Sequence, residues 1–281
     1  MQFHRVETVA ALAAEQERGC WWRSASPYDV AGSRAGRGGS SHDGEQELSV
    51  SKQLAGKRIA ITGATGFLGT ALVERLMRCV PDCELVLLIR PGKRSTVADR
   101  ARREIFRNDV FHRWMSELGD GDRKAGAEPF WEQVDQRVHV IAGDVGTDGL
   151  ALDDAGRALI ASCDTVIHSA ATVSFDAAID LAVEVNLLGA TRIVQTLQNL
   201  DVQPHFVGVS TCYVAGNRRG QAPEQLLTDS PFHIDVNWRS EVKAARRTRA
   251  DFDSESRAAS RLEEFRARAR HELGAAGTPL L

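Results

Sequence analysis

The residues best suited by type and spacing to do chemistry are Thr62-Gly63-Ala64-Thr65-Gly66-Phe67-Leu68-Gly69. A β-rich run, Arg58-Ile-Ala-Ile-Thr62, precedes them, and Leu68, Leu72 and Leu76 follow at helical spacing. Between a strand and a helix, such a glycine pattern binds nucleotide phosphates. Gly63 permits the tight turn, Gly66 lets the backbone approach a pyrophosphate, and Gly69 lets helix and strand pack closely. The phosphates would rest on the helix N-terminus, where unpaired N–H groups and the dipole favour negative charge. Thr62, Gly63, Thr65, Gly66, Phe67, Leu68 and Gly69 are therefore expected to contact a cofactor. An ordinary glycine-rich turn is the competing reading, and four further strand-like runs in sequence weigh against it.

Other candidates stand where those runs end. Arg90 closes Glu84-Leu-Val-Leu-Leu-Ile89, with Lys93 and Arg94 close behind. A carboxylate there would take the ribose hydroxyls of NAD, whereas a guanidinium suits a 2′-phosphate, so NADPH is the expected cofactor. The alternative is a solvent-facing arginine. Asp144 and Val145 follow Val138–Ala142, and the carboxylate could accept a hydrogen bond from the adenine amino group. Ser169, Ala170 and Ala171 follow Thr165–His168 and are small enough for a cofactor to lie against the strand. His168 itself reads as a satisfied strand-end histidine in preference to a catalyst. Asn186 is either a buried polar anchor or a tolerated mid-helix residue, and is counted among the cofactor contacts. Ser210 and Thr211 follow His205–Val209; a hydroxyl there could bond a substrate carbonyl as hydride arrives, or could merely cap local backbone.

These side chains need elements to position them. Five near-continuous apolar runs separated by helical segments are the pattern of an α/β doubly wound parallel sheet, Rossmann-like and NAD(P)-binding. Asp176 to Leu200 reads as one amphipathic crossover helix with Ile179, Val183, Leu187, Ala190, Val194 and Leu197 on its buried stripe. The charged connection from Pro91 to Arg137 is expected to hold two helices. Glu241 to Leu273 reads as a helix with Ala258, Leu262, Phe265, Ala269 and Leu273 on one stripe, supported by Asp253–Arg257 and Glu264–Arg268 pairs. Its mixed signs favour a solvated face over a basic ligand surface. The expected domains are residues 1–54, a flexible extension; 55–220, the nucleotide-binding domain; and 221–281, an irregular loop plus the charged helix. The extension contains the Gly- and Ser-rich run Ala31–Ser41, a possible short helix over Val6–Glu17 and the apolar pair Trp21-Trp22.

Composition bounds the function classes. The 281 residues carry a net charge of −3, and the pI near 6.3 argues against nucleic acid as the main partner. With 43% hydrophobic and 26% charged residues the chain is ordinary globular protein, which excludes wholesale disorder. It has no apolar run of membrane-spanning length and no signal pattern. Five cysteines without zinc spacing point to a reduced, cytoplasmic protein with no metal site.

Taken together, Thr62–Gly69, Leu87-Leu-Ile-Arg90, Gly143-Asp-Val145, His168-Ser-Ala-Ala171 and Val209-Ser-Thr-Cys-Tyr-Val214 resemble the extended short-chain dehydrogenases. More narrowly, they are similar to the reductase domain of the fatty acyl-CoA reductases, as are Val80-Pro-Asp82 and Arg90-Pro-Gly-Lys-Arg94. The resemblance covers about residues 55 to 220. It implies NADPH-dependent reduction of a long-chain acyl-CoA thioester to an aldehyde and on to the fatty alcohol. It gives Thr211 the carbonyl-binding hydroxyl role, with Ser210 beside it, and leaves peripheral membrane contact open. One departure stands out: the family's proton donor is a Tyr with a Lys four residues on, whereas Tyr28 and Tyr213 here are followed at that spacing by Gly32 and Asn217. The expectation is therefore the N-terminal portion of such a reductase. A carrier-protein-linked thioester reductase, a sugar-nucleotide epimerase relative and a non-catalytic NADPH-binding module are the rival readings.

Overall fold

The computed structural model describes residues 49–174, 178–211, 220–222, 226, 229, 233 and 235–273. The expected helix over Val6–Glu17, the Trp21-Trp22 pair, the run Ala31–Ser41 and Tyr213 lie outside the described residues.

The five apolar runs form the doubly wound sheet expected of them. Its strands are β1 (Arg58–Thr62), β2 (Glu84–Ile89), β3 (Val138–Ala142), β4 (Thr165–His168) and β5 (His205–Gly208). All pairs are parallel, in the order β3-β2-β1-β4-β5. The central strands β1, β2 and β4 are buried along nearly their whole length, whereas the edge strands β3 and β5 are partly open. Burial on both faces is why the central runs are continuously apolar instead of alternating.

Contacts divide the chain into two compact units. The first takes the residues up to Asp144, Gly149–Ser169 and Gln195–Val209, and includes the whole sheet. The second takes Val145–Asp148, Ala170–Val194 and the residues from Ser210 on.

In the first unit, α1 (Val50–Leu54) precedes β1 and α2 (Phe67–Cys79) follows it. The connection from β2 to β3 holds three α-helices, not the two expected: α3 (Val97–Ala101), α4 (His112–Leu118) and α5 (Ala127–Arg137). Between α3 and α4 come a π turn, Arg102–Phe106, and a 3-10 turn, Asp109–Phe111, started by the Asn108 side chain accepting from Val110 N–H at 3.0 Å. High charge hid the role of this connection, which adds Phe106, Phe111, Trp114 and Phe130 to the sheet's core. The Phe130 ring, fully buried, lies 5.3 Å from Trp114 and 5.5 Å from Phe111. At the end of α5, Arg137 donates to the carbonyls of Met77, Val80 and Cys83, each at 2.9 Å. These include acceptors that the last turn of α2 leaves without intrahelical partners. A sixth helix, α6 (Asp154–Ala161), leads into β4 and is capped by Asp153 accepting from Gly156 N–H at 2.7 Å.

The single helix expected over Asp176–Leu200 is corrected. It comprises α7 (Ile179–Ala182), a π turn (Val183–Leu187) and α8 (Leu188–Asn199). The extra residue of a π turn shifts the helix phase by about 100°, so one apolar stripe cannot run through it. The buried positions are Gly189, Arg192, Ile193, Thr196 and Leu197, while Ile179 and Leu187 are exposed. The charged C-terminal helix also breaks, into α9 (Trp238–Arg257) and α10 (Ala259–Leu273), because Ala258 is extended with ψ 122°. Leu262, Phe265 and Ala269 keep their half-buried stripe. Asp253 pairs backwards with Arg249 at 3.2 Å and Glu264 with Arg261 at 2.7 Å, since helical neighbours lie on both sides of a carboxylate. Among the described residues no helix is long and apolar enough to cross a membrane.

Candidate active site

The strand order reverses between β1 and β4, and ligands of open α/β sheets bind outside the carboxyl ends of the strands at such a reversal. Thr62, the last residue of β1, stands in register with His168, the last of β4. Thr62 Oγ1 and His168 Nδ1 are 2.7 Å apart. Burial holds the His168 pKa below its usual range, so the ring is neutral, the satisfied strand-end histidine expected. Ser169 Oγ and Ser169 N–H both donate to the Thr62 carbonyl, at 2.9 and 3.2 Å. The segment that launches the glycine loop is thus tied down on side chain and backbone.

The loop is then shaped by close approach. Gly63 has φ +75°, and its carbonyl accepts from Gly66 N–H at 2.9 Å. A Cβ at Gly69 would meet the Gly63 oxygen at 2.0 Å and Ala64 Cα at 2.7 Å, and one at Gly66 would lie 3.2 Å from that oxygen. Thr70, buried one residue past the last glycine, donates its hydroxyl to the Ala64 carbonyl at 3.0 Å. No side chain caps the start of α2. Thr65, Gly66, Phe67 and Leu68 are exposed, Phe67 almost completely at 99%. Thr65, Gly66 and Phe67, with Thr70 and Ala71, border a cleft of about 160 Å³ that Glu104, Asn108 and Val110 also line. A helix start without a side-chain cap, set on bare backbone, has what a phosphate group requires.

The other candidates of the first unit are Arg90 and Asp144. Arg90 is exposed one residue beyond β2. Its carbonyl accepts from the Arg100 guanidinium, and its own guanidinium meets no carboxylate among the described residues. Arg100 itself pairs with Glu104 at 2.7 Å, and that bond holds the Glu104 carboxyl down at about 2. Asp144 is half-buried, and its N–H donates to the Leu150 carbonyl at 2.8 Å. That acceptor is presented by three successive left-handed residues, Gly149, Leu150 and Ala151, with φ of +64°, +57° and +51°. For Leu150 and Ala151 such a backbone costs about 1–2 kcal/mol each.

Val145, Ala170, Ala171, Asn186, Ser210 and Thr211 belong to the second unit. Val145 is buried, 7% exposed, and packs against Gly189 of α8. Ala170 is half-buried, while Ala171, Ser210 and Thr211 are exposed. Asn186 is an anchor, but an exposed one: its amide accepts from Thr172 N–H at 2.8 Å and donates to the Thr172 carbonyl at 3.0 Å. Two backbone bonds commit this side chain to the chain just after β4. Nearby in this unit, the buried Arg192 guanidinium bonds Asp148 at 2.7 Å and Glu184 at 2.5 Å, and Arg246 reaches Glu184 at 2.6 Å. The bonds from Arg246 and then Arg192 hold Glu184 at about 2. Thr70 and Arg192 were missed by the reading of the sequence. The signal for Thr70 was a hydroxyl one turn into the helix; Arg192 carried none, because its partners are remote in the chain.

A doubly wound parallel sheet with a glycine loop at its strand-order reversal defines the nucleotide-binding α/β class. The family model described as male sterility protein, an NAD-binding family, matches residues 61–264, and the chain belongs to that family. Among curated relatives, probable fatty acyl-CoA reductase 5 of Arabidopsis thaliana is 29% identical over 209 residues, covering 71% of this chain and 41% of that protein. Alcohol-forming fatty acyl-CoA reductase of Simmondsia chinensis is 30% identical over 193 residues, covering 68% of this chain and 36% of that one. The chain thus spans about two-fifths of the length of these relatives. A solved structure, the terminal R domain from the myxalamid PKS-NRPS biosynthetic pathway, is similar with a TM-score of 0.44 and 25% identity, over 60% of this chain and 38% of that one.

Proposed function

We propose that this chain binds NADPH and serves the reduction of a long-chain fatty acyl-CoA thioester to the aldehyde and on to the fatty alcohol. The observation that carries this reading is the Gly63–Gly69 cradle, in which a Cβ at Gly69 would strike backbone at 2.0 Å, in a chain of the male sterility protein family. The bare backbone from Gly63 to Gly69 and the start of α2 hold the pyrophosphate. Arg90, a guanidinium without a carboxylate partner among the described residues, takes the 2′-phosphate. Asp144 accepts from the adenine amino group. When bound, NADPH would supply one hydride in each of two turnovers, the first releasing the coenzyme A thiol with formation of the aldehyde and the second giving the alcohol, each with a proton from solvent. Thr211, with Ser210 beside it, donates its hydroxyl to the thioester carbonyl oxygen, where negative charge builds as the carbonyl is reduced. Ser169, Ala170 and Ala171 are small enough for the cofactor to lie against the strand they follow, and Asn186 holds Thr172 through its two backbone bonds.

No tyrosine in this sequence has a lysine four residues on. Cofactor binding and turnover are therefore tested separately. NADPH fluorescence should rise on titration with the purified chain, and NADH should bind about tenfold or more weakly, the loss of one charge-assisted phosphate contact. Arg90→Asp should narrow or reverse that preference. Equal binding of both cofactors, or an unchanged preference in Arg90→Asp, overturns the assignment. Oxidation of NADPH dependent on palmitoyl-CoA then reports whether this chain by itself completes the reaction.

A further inference from the structure

A second cavity, about 430 Å³, opens beside the glycine-loop cleft and shares Asn108 with it. Arg102, Phe106, Arg107, His112 and Trp131 line it, and no carboxylate is among its lining residues. The π turn after α3 creates this arrangement. Arg107 N–H donates to the Arg102 carbonyl at 3.1 Å, a bond that spans five residues and brings both guanidinium-bearing positions round to one mouth. Both side chains are exposed, and neither pairs with a carboxylate among the described residues. Arg102 lies 4.2 Å from the centre of the Trp131 ring. Arg123 sits 3.0 Å from His112 Nδ1; a guanidinium can only donate, so the ring proton is on Nε2, toward Asp109 at 3.2 Å. The lining thus combines positive charge with aromatic surface, the Arg102 guanidinium lying over the Trp131 ring, and Met115 completes it.

Two unpaired guanidinium groups facing one cavity favour a ligand with several negative charges. A bare phosphate would leave the Trp131 and Phe106 wall unused, and an acyl chain would gain nothing from the arginines. A phosphorylated purine uses both, since bases stack on aromatic rings and on guanidinium planes. The volume is within the range of small-ligand sites. We propose that this cavity binds the 3′-phosphorylated adenosine diphosphate end of coenzyme A, with the base against Arg102 and Trp131 and phosphate oxygens on Arg107. The assignment rests on the acyl-CoA reading above and adds where that substrate's nucleotide is held.

The test is calorimetric titration of the full chain with 3′,5′-ADP at saturating NADPH, with ADP and inorganic phosphate as comparison probes. Binding should be tightest for 3′,5′-ADP, and Arg107→Glu should weaken it by about tenfold or more while leaving NADPH affinity unchanged. Arg107 is exposed, so this variant should fold; Trp131→Leu is a second variant that should weaken the base contact. Failure of 3′,5′-ADP to bind a chain that does bind NADPH overturns this inference and leaves the cofactor assignment intact. Displacement of 3′,5′-ADP by NADPH, or equal binding in Arg107→Glu, overturns it too. A chain that binds 3′,5′-ADP through Arg107 but not NADPH supports the cavity while sinking the cofactor reading.

Discussion

At Gly69 a single hydrogen atom stands where any other residue would put a carbon 2.0 Å from a backbone oxygen. Neither partner in that contact is a side-chain tip that could turn away, so the loop itself must move to admit a methyl group. Gly69→Ala is expected to abolish NADPH binding and to lower the melting temperature; a variant that binds as the parent does would contradict the cradle. Gly66 is less tight, with 3.2 Å to the same oxygen, so Gly66→Ala should cost less than Gly69→Ala and Gly66→Val should block the phosphate. Fluorescence titration of the three variants gives that ranking directly. These glycines were legible in the sequence because a turn of this kind is a local demand on a few consecutive residues. The bond from Thr62 to His168 was not, since its two ends are 106 residues apart.

Among the elements, the excursion between β2 and β3 shows how charge can conceal a core. Charged and polar residues separate its apolar ones, yet Phe106, Phe111, Trp114 and Phe130 extend the hydrophobic core of the sheet. Phe130 is fully buried with its ring against those of Phe111, Trp114 and Trp131. Phe130→Ala should therefore destabilise the fold by about 3–5 kcal/mol, read from the urea midpoint. A loss below about 1 kcal/mol would mean that the excursion is not part of the core. The two π turns escaped the hydrophobic pattern for a related reason. A helix reads as periodic only while each turn has the same number of residues, and Arg102–Phe106 and Val183–Leu187 each break that count.

For the molecule as a whole, charge sets the acid limit of stability. Glu184 and Glu104 are each held at about 2 by arginine hydrogen bonds, well below the roughly 4.3 of a free glutamate. A depressed folded-state pKa contributes stability above the unfolded value and loses it as pH falls toward the folded one. The melting temperature should accordingly fall between about pH 5 and pH 2. Protonating the carboxylates also leaves 35 Lys and Arg residues unbalanced, and their mutual repulsion steepens the loss. Glu184→Gln should be less stable at pH 7, because the buried Arg192 loses a charged partner, and should show a shallower acid limb. An acid limb as steep as the parent's would place the sensitivity elsewhere.

Which segments become strands, where the glycine loop turns and where four of the five strands end were determined by sequence alone; the fifth, expected to reach Val209, stops at Gly208. Strand preference, apolar runs and the glycine requirement of a tight turn are properties of neighbouring residues. Tertiary structure decided the rest: the order β3-β2-β1-β4-β5, the contact of Thr62 with His168, the Arg137 clamp on the end of α2 and the commitment of Asn186 to Thr172. It also decided which of several nearby arginines each carboxylate would take. Those choices depend on groups brought together from distant parts of the chain, where packing and desolvation select a partner that local preference does not specify.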